Sequence, residues 1–477
     1  MVMSFQPFNV IEPWVFETIT PSQFITFTMP NPLNHRRLLH ALVIRVAVLD
    51  SPIATADDEV PLIAAMIVPN HRETDWNFCT ESGHLQLLYD SHNVSRLILI
   101  GNNPPPNPEP SIYIRPQVTG PLEKQRLENE LKPLLMALHP KVSFHRRLPE
   151  TIILTYEDDV VYRVTIAKFV GPVVGEFVVE DVEMEGNRDR SKMLRRRLRF
   201  KRMPNLIQSQ VPLIPVISDN EATTHVDLES LRKIVNAKFD VDTSVLVHPY
   251  LTPMVAGLFL IASHLNEQIQ QGFTPSALCL GIGGGVLLSF MKTQLGFDVV
   301  GVEADKVVLT AATKHFGFNK SGSIRLIVGD AIEVIQSFPS QKIKGDTDGL
   351  KVNNDVLDTK FDVVMVDLDS NEAQNGISAP PPEFVKKPVF KAARSLLDDC
   401  GVLIINVVPL NELFYTTLVK DLKDTFYTVY GIDVGNQGNF VVVATVSPTS
   451  SNDHDNDFLK KLTSVIPGTY KDTIVEL

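Results

Sequence analysis

The feature that most constrains this chain is a strand that runs straight into a cluster of glycines. Residues 277–282 (ALCLGI) are apolar, Gly281, Gly283, Gly284 and Gly285 follow within the next turn, and helical spacing of apolar residues resumes at 286–295. Glycines let the backbone turn sharply and let a ligand approach with no Cβ in the way. The spacing is G-x-G-x-G and not G-x-G-x-x-G, because Val286 stands where the last glycine of a dinucleotide fingerprint would be. Taken alone, such a corner is equally a tight turn with no ligand. Beyond it, strand–turn–helix alternation continues, which predicts a parallel sheet with right-handed crossovers.

Acids recur where the following strands end. The strand predicted at 298–302 ends in Glu303, twenty residues after Gly283. An acid there can accept both hydroxyls of a ribose, or be an ordinary surface acid. The strand predicted at 323–328 ends in Gly329-Asp330-Ala331. Asp330 can receive the exocyclic amine of an adenine and can equally cap the next helix; the two roles are compatible. A fourth strand, 361–366, delivers Asp367-Leu368-Asp369-Ser370 to the carboxyl edge, where open α/β sheets bind ligands. A fifth strand at 401–408, a helix at 412–425 and a hairpin pairing 427–432 with 440–446 complete the pattern. The polar insert 339–360 reads as a mobile loop.

At 477 residues the chain is too long for one ordinary core. The predicted division is a strand-rich α+β region at 1–215, a polar linker at 216–235 and the glycine-corner domain at 236–477. Strands are expected at 24–27, 42–49, 62–68, 97–100, 151–154, 160–166 and 177–179, with one helix at 123–138 interrupted by Pro133. The run 102–110 (NNPPPNPEP) reads as a stiff surface loop. The string Arg72-Glu73-Thr74-Asp75-Trp76 reads as a turn with a packed tryptophan. A basic run, Lys192 to Arg202, interleaves Leu194, Leu198 and Phe200, so a strand with a solvated basic face is expected, the alternative being a patch for an acidic partner or RNA. The formal net charge of −12 argues against a general nucleic-acid binder. Cys79, Cys279 and Cys400 are far apart, which predicts neither disulfides nor a metal site and suits a reducing, cytoplasmic setting. The apolar run 254–262 is too short to cross a bilayer, and the first residues do not read as a secretory signal.

Taken together, GIGGGVLLSF, VVGVEADKVVLTAATKHFGF, GDAIEVI, FDVVMVDLDS and GISAPPPEFV resemble, in order and spacing, the C-terminal domain of the methyltransferase-like protein thirteen family. These are eukaryotic methyltransferases of translation elongation factor one-alpha, themselves similar to spermidine synthases. HRETDW at 71–76, GEFVVEDV at 175–182 and the last eight residues also look like pieces of that family. The resemblance implies a seven-stranded, Rossmann-like class I methyltransferase sheet that binds S-adenosylmethionine. It further implies a protein substrate, with elongation factor one-alpha suspected, no direct nucleic-acid partner and a possible homodimer. Family members typically begin with a separate lysine-directed domain, which has no counterpart in this pattern, so only methylation of the factor's N-terminal α-amine carries over.

By the same resemblance, Gly281, Gly283, Gly284 and Gly285 pass the methionine and ribose of the cofactor, Glu303 holds the ribose, and Asp330 with Ala331 holds the adenine. Asp367 and Asp369 face the sulfonium and the incoming amine, as the candidate catalytic pair. Pro380-Pro381-Pro382 and Phe384 shape the acceptor pocket. Two other readings stand beside this one: an aminopropyl transferase of the spermidine-synthase type, and a binding protein that keeps the fold without turnover. Asp369-Ser370-Asn371-Glu372 lacks the proline typical of the first, and acids at three strand ends have no purpose in the second.

Overall fold

The computed structural model describes residues 13–32, 39, 41–53, 60–91, 93–104, 112–116, 121–144, 149–186, 192–216, 228, 238–318, 324–337, 360–370, 378–409, 411–435, 438–449 and 456–477. Two compact units emerge: Met1–Val164 with Met203–Asn205, and Thr165–Arg202 with Leu206–Leu477.

In the first unit a five-stranded sheet has the order Phe24–Pro30, Val43–Asp50, Arg96–Asn102, Ile63–Ile67, Ile152–Leu154. Alternation along these strands feeds two faces. Ile44, Val46, Val48, Ile98 and Ile100 pack with Leu131 and Leu135 of the helix Pro121–Ala137. Ala47, Leu49, Leu97 and Leu99 pack with Leu85, Leu87 and Leu88 of the helix Glu81–Asp90. That second helix is absent from the sequence reading, because His84 and Gln86 break its apolar stripe; both are nonetheless buried. In the HRETDW string the buried residues are charged: Arg72 pairs with Asp75 at 2.6 Å, and Asp75 also meets Arg163 at 2.6 Å.

The second unit holds an eight-stranded sheet. Its strands are β1 (Ser276–Leu280), β2 (Asp298–Glu303), β3 (Ile324–Val328), β4 (Phe361–Val366), β5 (Leu397–Val407), β6 (Thr428–Asp433), β7 (Phe440–Thr445) and β8 (Ile474–Glu476). Their order is β3-β2-β1-β4-β5-β7-β6-β8. The first five run parallel, while β7 is antiparallel to β5 and to β6. A parallel core closed by an antiparallel hairpin is the class I methyltransferase sheet that the motifs implied, with β8 as an added edge strand. The strands β1, β2, β4, β5 and β7 bury apolar side chains on both faces, in two separate core layers.

The strands Gly175–Glu185, Lys192–Phe200 and Ile207–Val216 lie in this unit but in a separate sheet, whereas the sequence places the domain boundary at 215. Their apolar face (Val174, Phe177, Val179, Leu198, Val211) packs on Val286, Val308, Ala311 and Phe316 of the glycine-corner domain. Asp305, fully buried at 0% exposure, fixes the junction. It caps the helix Lys306–His315 through the Val307 amide at 2.9 Å and accepts the amides of Val173 and Val174 at 2.9 and 3.0 Å. The basic strand Lys192–Phe200 is not solvated as expected. Arg196 pairs with Asp181 and Arg199 with Glu180, both at 2.7 Å and with little exposure. Its neighbour Ile207–Val216 escaped the sequence reading because Pro212 and Pro215 interrupt the alternation. Apart from Val216, Leu228 and Lys360, the predicted linker 216–235 and the insert 339–360 lie outside the described residues.

Candidate active site at the carboxyl edge

The β1 strand ends at Leu280, and the corner that follows is built on positive φ. Gly281, Gly283 and Gly285 adopt φ of 84°, 52° and 77°, a region that side chains disfavour. Space is as restrictive as torsion. A Cβ on Gly281 would lie 2.1 Å from the Asp367 carbonyl oxygen, and one on Gly285 would lie 2.3 Å from the Phe318 ring. Gly284 has ordinary torsions, but its amide donates to Ser209 Oγ at 2.7 Å, and a Cβ there would meet Phe316 at 2.9 Å.

Sheet register brings the acids to this corner. Glu303 ends β2 beside it, and its Oε2 accepts the amides of Ile282 and Gly283, each at 3.2 Å. Among the described residues its Oε1 takes only the Asp305 amide, at 3.2 Å, which leaves it room for a hydroxyl donor. Burial pushes the Glu303 carboxyl up, amide hydrogen bonds pull against this, and the nearby charge of Asp369 adds to the rise. One strand further out, the Gly329 amide donates to the Glu303 carbonyl at 3.0 Å, so Asp330 begins just beyond the end of β2. Its Oδ1 caps the helix Ala331–Ser337 through the amides of Ile332 and Glu333, at 2.9 and 3.0 Å. Its Oδ2 carries no partner among the described residues, so the cap leaves an exposed acceptor.

Asp367 follows β4 on the other side of the corner, where its amide donates to the Leu280 carbonyl at 2.9 Å. Asn406 Nδ2 donates to its Oδ1 at 3.0 Å, and the Tyr250 hydroxyl donates to its Oδ2 at 3.3 Å. Asn439 Nδ2 in turn donates to Asn406 Oδ1 at 3.0 Å, which fixes the amide's orientation. Burial raises the Asp367 carboxyl to about 6 despite these donors, and the charge of Asp369 adds to the effect. The Tyr250 hydroxyl, buried beside that carboxylate, is held well above its ordinary value and stays a donor. His248 stacks on Tyr250 with ring centroids 5.3 Å apart; burial first, then Arg197 and Arg195, lower it to about 3, so it is neutral.

Asp369 behaves differently from the expectation that it faces an amine. Arg202 Nη2 lies 3.1 Å from both of its oxygens, and Arg202 Nη1 donates to the Ser370 carbonyl at 2.7 Å. The carboxylate is thus held by a cation on both oxygens. Phe384 also departs from expectation. It is 0% exposed and packs on Phe390 in the core, so it supports the proline segment from beneath. That segment is tied to the sheet edge where Ala379 pairs with Val408, just before the cis bond to Pro380. Ala331 is likewise a core residue.

Four contributors escaped the sequence reading. Asn406 had a usable signal, a lone amide inside the apolar strand GVLIINVV. Arg202 closed the basic run. Tyr250 and Ser209 had none, because chain folding alone brings them to the corner.

No protein-family model matches the chain. Curated proteins do. The eEF1A lysine and N-terminal methyltransferase of Xenopus laevis is 26% identical over 386 residues, covering 80% of this chain and 50% of that protein. The human protein of the same name is 26% identical over 395 residues, covering 81% of this chain and 51% of that protein. This chain is similar to the eEF1A methyltransferases. It spans about half the length of the curated relatives it matches. Among solved structures, human methyltransferase-like protein 13 in complex with SAH is 24% identical and covers 47% of this chain and 93% of its own, with a TM-score of 0.37. The spermidine synthase of Thermotoga maritima is 15% identical and covers 62% of this chain and 78% of its own, with a TM-score of 0.34. Spatial agreement is low in both, so the fold assignment rests on the strand order itself.

Proposed function

We propose that this chain is an S-adenosylmethionine-dependent protein N-methyltransferase whose acceptor is the N-terminal α-amine of elongation factor one-alpha. The observation that carries the reading is the convergence of Glu303, the 281–285 corner and Asp367 on one carboxyl edge. The spare acceptor capacity there suits an adenosine: Glu303 Oε1, which holds one amide, for a ribose hydroxyl, and Asp330 Oδ2 for the adenine amine. Unpartnered buried atoms on bordering segments, Gln208 Nε2, His248 Nε2 and Ser378 Oγ, also fit a site completed by a ligand. Bound there, the cofactor supplies an electrophilic methyl group on a sulfonium.

The chain's own residues then have to present an uncharged amine. An α-ammonium ordinarily loses its proton at about 7.7–8.0, far more readily than lysine at about 10.4. Asp367, raised to about 6 and pinned by Tyr250 and Asn406, is close enough in affinity to take that proton. Asp369, paired with Arg202, holds the loop after β4 in place. The relatives' names also cover lysine methylation; a base raised only to about 6 suits the α-amine, which gives up its proton more readily than lysine.

No described helix is long and apolar enough to cross a membrane. We infer a cytoplasmic enzyme that acts on a protein without binding nucleic acid directly and that works as a homodimer. Incubation with tritiated cofactor and purified elongation factor one-alpha tests the activity. Label should appear on the native factor and be lost when its N-terminus is acetylated; label retained on lysine after acetylation would overturn the acceptor assignment.

A further inference from the structure

At the opposite, amino edge of the same sheet, β4 and β5 are out of register. Phe361 pairs with Leu397 but Val363 pairs with Val402, so Asp398 to Gly401 bulge out opposite the single residue Asp362. A bulge re-aims side chains. This one brings Asp398 and Cys400 toward His264 of the helix Ala262–Gln270. One ligand atom each from His264, Asp398 and Cys400 lie within 4.8 Å of one another. His264 Nε2 is 3.7 Å from Asp398 Oδ1 and 3.3 Å from Asp362 Oδ1.

These separations have a chemical meaning. Around a tetrahedral zinc, with bonds of about 2.0–2.3 Å, ligand atoms stand roughly 3.3–3.8 Å apart. One imidazole nitrogen facing two carboxylates can satisfy both only by sharing one proton or by sharing a cation. The donor set, one imidazole, one thiol and one carboxylate, matches a borderline-soft divalent ion and not magnesium or calcium, which take oxygen ligands. A divalent cation bound there would release the thiol proton to solvent.

We propose that His264, Asp398 and Cys400 form a zinc-class metal site at the amino edge of the sheet, with the fourth position left to solvent. The sequence reading expected no metal site because the cysteines are widely spaced; the ligands come instead from a helix and a bulge that meet only in the fold. Such a site would pin the helix Ala262–Gln270 to β5, away from the carboxyl edge.

The test uses the full chain, stripped with a chelator and titrated with cobalt chloride. The expected result is one cobalt per chain, a near-ultraviolet thiolate-to-cobalt absorption band, and displacement by zinc. Cys400→Ser should remove the band, His264→Ala should weaken binding by at least about 10-fold, and Cys79→Ser should change neither. Cys400 is exposed, so its serine variant keeps the fold. In the unaltered chain, zinc should also protect Cys400 from alkylation. Absence of a thiolate band at saturating cobalt, or a band that survives Cys400→Ser, would overturn the site.

Discussion

Strand β4 carries an aspartate at each end, and the protein treats the two in opposite ways. Asp362, at the amino edge, meets an imidazole. Burial alone would raise it, but hydrogen bonds from His264, the Ser276 amide and Gln268, with the imidazole charge, hold it below its ordinary value. Asp367, at the carboxyl edge, meets only neutral donors and stays raised, at about 6. The first acid is satisfied and structural. The second is kept in a state that favours taking up a proton, which is what a general base requires and what a stable core avoids.

The largest expected effect comes from neutralising each acid in turn. Asp367→Asn should lower methyl transfer by about 10²–10⁴-fold, the usual contribution of a positioned base. It should also raise Tm. An acid raised from 3.8 to about 6 costs stability only where the folded protein ionises it, so the gain should be largest above pH 6 and vanish below pH 3.8. Asp362→Asn should do the reverse and lower Tm. The His264–Asp362 pair is fully charged between 3.8 and 6.5, with Asp362 lowered and His264 raised, so the loss should peak in that window. Thermal melts across pH would expose any failure of this opposition.

Glycines sharpen the same contrast. Gly281→Ala at the carboxyl edge combines a positive φ with a carbonyl 2.1 Å away and should cost about 3 kcal/mol or more in denaturant titrations. Gly401→Ala at the amino edge meets carbonyls only at 3.1 Å, and a small backbone shift should keep its cost near 1 kcal/mol. The smallest effect is expected at Arg202. Its pair with Asp369 is partly open to solvent, with 17% and 24% of the side chains exposed, so Arg202→Ala should cost at most about 1 kcal/mol. Its methyl transfer should retain the unaltered protein's pH profile, since Asp367 is the base.

Much of the carboxyl edge was legible because each strand end is one position in a parallel sheet. Once β1, β2 and β4 are recognised, Glu303 and Asp367 can go nowhere else. The legible part stopped where side chains arrive from other elements. Arg202 was visible only as one charge in a basic run, and its choice of Asp369 follows from tertiary folding. The strand Ile207–Val216 hid behind two prolines, although it supplies Ser209 to the corner. The amino edge was not legible, because a register shift between β4 and β5 leaves no periodic trace that distinguishes Asp398 and Cys400 from surface residues. Asp330 shows the intermediate case: its capping role was readable from the residues that follow, and its ligand role rests on an oxygen the cap leaves over.

If the carboxyl edge holds an adenosyl cofactor, calorimetric titration of the full chain with S-adenosylmethionine should show saturable binding at one site per chain. That binding should weaken roughly 10-fold or more in Glu303→Gln, which keeps the shape of the side chain but halves its acceptor capacity. No heat of binding at millimolar cofactor, or binding indifferent to Glu303→Gln, would contradict the cofactor assignment.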